Sequence, residues 1–171
     1  REYQYDAVYR GIKNNRSILL SPTASGKSLI IYCILRWHIK HDRNIVVIVP
    51  TTMLVEQLAA DFRDYSGNNK FAVNDNVKVL HSGKERVFDV PVIITTWQSI
   101  VAIQKNDPSK FKEITTRSDV AVFDEAHSYK ANVVLSTLEK FTHTKYRIGT
   151  TGTIDDTKIN KLSLIGLIGP V

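Results

Sequence analysis

The chain is predicted to be an α/β domain with a mostly parallel central sheet and helices on both faces. Six apolar runs recur along it, and segments with apolar residues three and four apart lie between them. Several runs, IVVIV and VIITT among them, are β-branched at every position, which suits strands covered on both faces. At 171 residues one compact unit, 1–171, is the expected organisation.

The elements follow in order. YQYDAVYRGI has the spacing of an amphipathic helix, and Ser17–Ser21 is the first strand. KSLIIYCILRWHI is a helix whose interior is apolar enough to be core, Trp37 included; Asn44–Pro50 is the second strand. MLVEQLAADFRDY is the next helix, followed by strands at Val77–Leu80 and Pro91–Thr95. SGNNK, NDN and KNDPSK are polar loops, Pro108 discouraging a continuous helix in the last. Val120–Asp124 and Tyr146–Gly149 complete the strands, VVLSTLEKF is helical between them, and LSLIGLIG is expected to be helical near the end.

Composition narrows the function classes. An apolar share of 43% and a charged share of 23% fit a folded domain. The longest apolar run, Leu29–Leu35, is well short of the roughly 20 residues of a membrane span. One cysteine, Cys33, in an apolar helical pattern reads as an inert core thiol of a reducing cytoplasm. The five histidines are scattered and lack cysteine partners, which argues against a zinc site. A net charge of +6 favours polyanionic partners such as nucleic acid.

Two motifs carry chemistry. SPTASGKS, Ser21 to Ser28, stands between a strand and a helix, where backbone amides and the helix dipole make an anion site. There Lys27 would reach the β- and γ-phosphates of a nucleotide and Ser28 would offer its hydroxyl to Mg²⁺. The loop from Thr23 through Ala24, Ser25 and Gly26 would wrap the phosphate oxygens. Ser21 occupies the place where such loops carry glycine. A Ser/Gly turn capping a buried helix would account for Ser25 and Gly26, but not for the Lys-Ser pair. VAVFDEAH is an apolar strand ending in two carboxylates, at the edge of a parallel sheet where ligands bind. Asp124 would hold Mg²⁺ and Glu125 would orient and deprotonate an attacking water.

DEAH together with SPTASGKS resembles motifs II and I of the superfamily 2 helicases and translocases. REYQ at Arg1–Gln4 is similar to their adenine-recognising Q motif, VPTTMLVEQ to motif Ia, TTWQSI to motif Ic and TGT at Thr151–Thr153 to motif III. The pair VPTTMLVEQ and ITTWQSI also resembles recombination helicases of T-even-type phages. Restriction-enzyme and repair translocases share the plan. An RNA helicase domain and a non-hydrolysing nucleotide-binding module stay open as alternatives.

The resemblance implies a RecA-like P-loop NTPase domain, the first of two in a motor that binds Mg-ATP and moves on DNA. It implies adenine contacts from Arg1 and Gln4, and nucleic-acid contacts from Thr51, Thr52, Thr95 and Thr96. It also implies coupling through Thr151, Gly152 and Thr153, with His127 joining motif II to motif III. Lys84 in HSGKER falls near the nucleic-acid path or in a solvated turn. Trp97 is either a base-stacking ring or, more in keeping with a large aromatic beside a strand, part of the core. The second RecA-like domain, with its arginine fingers, lies outside these residues, so hydrolysis and unwinding are expected to depend on it.

Overall fold

The computed structural model describes residues 2–21, 26–67, 70–80, 87–126, 132–152, 165–166 and 168–170, without the side chains of 132–134. The elements run α1 (Glu2–Lys13), β1 (Arg16–Leu20), α2 (Lys27–Ile39), β2 (Ile45–Val49), α3 (Thr52–Ser66), α4 (Val73–Asn76) and β3 (Val77–Val79). Then follow β4 (Val92–Thr96), α5 (Trp97–Asn106), α6 (Pro108–Arg117), β5 (Val120–Phe123), α7 (Asn132–Glu139) and β6 (Tyr146–Thr151). All six expected strands are present. They form one sheet in the order β1-β6-β5-β2-β4-β3, with every pairing parallel.

Alternation along the strands divides the core. Ile45, Val47 and Val49 of β2 and Val120 and Val122 of β5 face α2 and α3, meeting Ile30, Ile34, Val55 and Phe62. Val46, Ile48, Ala121 and Phe123 face the other way, onto Ile100 of α5, Phe111 and Ile114 of α6 and Leu138 of α7. Because β2 and β5 bury every residue, their sequences carry no polar alternation.

The expected loop at KNDPSK is instead a boundary between two helices. Asp107 closes α5 and caps α6, its carboxylate accepting from the Lys110 amide at 3.0 Å. Pro108 is the first residue of α6, where its missing N–H costs nothing. Trp37 also departs from expectation. Its ring is only half-buried at the end of α2, beneath the Arg43 guanidinium at 5.2 Å, and the neighbouring His38 takes the core position. Of LSLIGLIG only Ile165 and Gly166 are described as helical; Ile168 is buried against the α5–α7 face.

The outer side of β1 is covered by residues 168–170. Ile18 donates its backbone N–H to the Pro170 carbonyl at 2.7 Å. Gly169, at φ +143°, lies so close that a Cβ there would sit 2.6 Å from the Arg16 backbone. Among the described residues no helix is long and apolar enough to cross a membrane.

Candidate functional site

Every strand ends at the same edge of the sheet, so residues far apart in sequence arrive together there. β1 leads to Ser21, which is buried and donates its backbone N–H to the Thr151 carbonyl of β6 at 2.8 Å. Residues 22–25 follow, and Thr23, Ala24 and Ser25 therefore lie outside the described residues. Gly26 then opens α2 in the left-handed conformation, φ 80° and ψ 42°, which glycine adopts without strain. A Cβ on Gly26 would stand 2.5 Å from the amide nitrogen of Gln4. The glutamine of α1 thus packs against the end of the SPTASGKS loop.

Lys27 is the first residue of α2, and its ammonium pairs with the carboxylate of Glu125. Glu125 follows the end of β5 with φ 49°, a left-handed backbone unusual for a residue with a side chain. Asp124 is fixed in place: its Oδ1 accepts from the Thr150 hydroxyl at 2.6 Å and from the Glu125 amide at 3.0 Å. Burial raises the Asp124 carboxyl above its usual range. The Thr150 hydrogen bond opposes that rise, the Glu125 charge adds to it, and Lys27 and the Glu125 amide lower it again.

Gly26, Lys27, Ser28, Asp124 and Glu125 border one open cavity of about 370 Å³, whose opposite wall is α3 through Leu54, Gln57, Leu58 and Asp61. Ser28 and Asp124 bring oxygen donors to it, the donor chemistry of a hard cation such as Mg²⁺. A cation beside Asp124 would also offset the burial that raises its pKa. The residues therefore fit that ion.

The four threonines expected to meet nucleic acid differ. Thr51 and Thr52 are exposed at the start of α3, where Thr51 Oγ1 accepts from the Leu54 amide at 3.3 Å. Thr95 is fully buried and donates its hydroxyl to the Leu80 carbonyl at 2.8 Å. Thr96 is buried too and caps α5, accepting from the Ser99 amide at 3.1 Å. Trp97 packs partly buried against the α5–α7 core, as a large aromatic beside a strand is expected to. Thr151 is buried at the end of β6, with Gly152 beyond it. Arg1, Lys84, His127 and Thr153 lie outside the described residues.

Sequence reading missed two participants. Thr150 precedes the TGT triplet and is indistinguishable from an ordinary strand threonine until β5 and β6 are paired. Tyr65 reaches Ser28 from 37 residues away, at a position that helical spacing alone reads as core.

Comparison with known proteins bears on this geometry. Residues 1–156 match the family described as type III restriction enzyme, res subunit. The chain belongs to that family. Among its relatives, the ATP-dependent DNA helicase uvsW of Enterobacteria phage T4 is 31% identical over 174 residues, covering 99% of this chain and 32% of that protein. Putative helicase 22 of Sulfolobus islandicus filamentous virus is 26% identical over 180 residues, covering 100% of this chain and 31% of that protein. This chain thus spans about a third of the curated relatives it matches. The crystal structure of the bacteriophage T4 UvsW helicase superposes with a TM-score of 0.81 at 30% identity, over 99% of this chain and 58% of that one. The Pyrococcus furiosus Hef helicase domain shares the fold, with a TM-score of 0.77 at 23% identity over 99% of this chain and 36% of that one. The RecA-like architecture expected from the sequence is the one these structures have.

Proposed function

We propose that this chain is the ATP-binding motor domain of an ATP-dependent DNA helicase or translocase. The observation that carries the reading is the meeting of Lys27 with Asp124 and Glu125 at one cavity, from motifs 98 residues apart, in a chain related to a phage DNA helicase. Lys27 holds the β- and γ-phosphates, together with the backbone amides at the start of α2. Gln4, packed on Gly26, presents its amide to the adenine edge, where donor and acceptor are both needed. Ser28 and Asp124 hold the Mg²⁺ of the nucleotide, which when bound neutralises charge on the transferred phosphoryl group. Glu125 orients the attacking water and accepts its proton.

In the ground state Glu125 is engaged by Lys27. Phosphate oxygens arriving at Lys27 compete for its ammonium and release the carboxylate toward water. Activation of the base is in this way tied to occupancy of the site.

Nucleic acid is met at Thr51 and Thr52, whose hydroxyls and helix-start amides suit phosphate contacts. The hydroxyls of Thr95 and Thr96 are spent inside the chain, so motif Ic acts by shaping the strand end. DNA is favoured over RNA because the T4 relative, uvsW, is a DNA helicase. Turnover and movement depend on a second RecA-like domain that supplies arginine fingers, whose general worth is about 10³–10⁵ in rate.

The test is calorimetric titration with the Mg²⁺ complex of a non-hydrolysable ATP analogue, beside Lys27→Ala. Binding by the natural chain that is lost in the variant is expected. Equal binding by both, or binding by neither, would remove the nucleotide reading.

A further inference from the structure

Tyr65 lies one turn beyond Asp61 on α3, on the side of that helix which lines the cavity with Leu54, Leu58 and Asp61. Its hydroxyl is 2.8 Å from the Ser28 hydroxyl in the first turn of α2. The ring is held by its surroundings: Tyr32 packs against it at 5.6 Å between centroids, and Tyr32 also contacts Phe62 at 5.5 Å and Phe71 at 6.0 Å. Arg36 fixes Tyr32 in turn, donating to its hydroxyl at 2.9 Å and lying over the Phe71 ring at 4.3 Å. The Tyr65 phenol therefore reaches Ser28 from a packed aromatic cluster.

A serine hydroxyl has one proton and two lone pairs, and its orientation decides which of them faces the cavity. A serine that donates its proton to Tyr65 keeps both lone pairs for other partners. We propose that Tyr65 is a positioning residue for Ser28, accepting its proton and turning its lone pairs toward the cation of Mg-ATP. The inference rests on the nucleotide reading above and assigns it a participant from outside every motif.

The conservative variant Tyr65→Phe removes one oxygen and keeps the ring in its cluster. Affinity for a non-hydrolysable ATP analogue is measured with saturating Mg²⁺ and again in EDTA, for the natural chain, Tyr65→Phe and Lys27→Ala. Tyr65→Phe is expected to bind the Mg²⁺ complex about two- to tenfold more weakly, the worth of one hydrogen bond. Its binding of the metal-free analogue is expected to be unchanged, and in a Ser28→Ala background the substitution should have no further effect. A purely packing role would shift melting temperature and leave the difference between the two titrations intact. No loss with Mg²⁺, or equal losses with and without it, overturns the role of Tyr65 while the loss of binding in Lys27→Ala still upholds the site. Absence of binding by the natural chain would overturn both.

Discussion

The two edges of the sheet carry similar side chains and use them in opposite ways. At the amino ends of the strands, Arg43 lies 5.2 Å from the Trp37 ring centroid and 4.3 Å from that of Tyr146, while its Nη1 reaches His38 Nδ1 at 2.9 Å. Asp119 accepts from the Asn44 amide at 2.8 Å, and its carbonyl accepts from the Tyr146 amide at 3.1 Å. These charges and rings are consumed in tying α2 to β2, β5 and β6. At the carboxyl ends, Lys27, Asp124 and Glu125 also bond to one another, but they border open space. What distinguishes a site from a strut is the cavity in front of the polar groups. The number of charges does not.

Substitutions at the two edges should therefore separate binding from stability. The largest effect is expected from Lys27→Ala, a ten- to hundredfold loss of Mg-nucleotide affinity, or about 1.5–3 kcal/mol for hydrogen bonds to a charged group. Its unfolding free energy without nucleotide should change by less than about 1 kcal/mol, because Glu125 retains access to water. Calorimetry and urea titration on the same preparation read both quantities.

The opposite edge should answer to pH. Burial, followed by the charges of Arg43 and His41, holds the His38 pKa at about 4 against an ordinary 6.5. The unfolded chain takes up that proton first, so the contribution of neutral His38 is complete above pH 6.5 and is lost as pH falls through about 4. Urea titrations across this window should show a component approaching about 1.4 kcal/mol per pH unit that disappears in His38→Phe. Persistence of the full slope in the variant would move the effect to other groups.

Arg43→Ala should cost about 1 kcal/mol of stability through its ring contacts and leave nucleotide affinity unchanged. A fall in affinity would show that the amino edge reaches the site. A comparable effect, about 1 kcal/mol, is expected from Gly26→Ala. The variant forces a side chain into the left-handed region and against Gln4. Nucleotide affinity should fall with it, most visibly for adenine over guanine analogues.

Much of this is legible in the sequence. Apolar runs marked all six strands, most plainly β2 and β4, which bury every residue and are β-branched throughout. Lys27 and the Asp124–Glu125 pair stood out because a phosphate site needs those groups at a strand-to-helix turn and at a strand end. α5 and α6 were obscured by Pro108, which reads as a breaker until Asp107 is seen capping the second helix. Nor could spacing separate Thr51 from Thr95. Both are threonines at strand ends, and only the packing of Leu80 against β4 decides that one of them is buried. Tyr65 and Thr150 depend on pairings across the fold that no local pattern carries.

The covering of β1 by residues 168–170 bears on how this domain behaves at high concentration. A parallel edge strand with unpaired amides invites another chain to add itself, which is a route to aggregation. The Pro170 carbonyl already takes the Ile18 amide, and Gly169 lets the backbone come close enough to do so. Replacing Gly169 by a β-branched residue would lift that segment away from β1. The fold could survive such a change and still become self-associating, losing solubility before it loses shape.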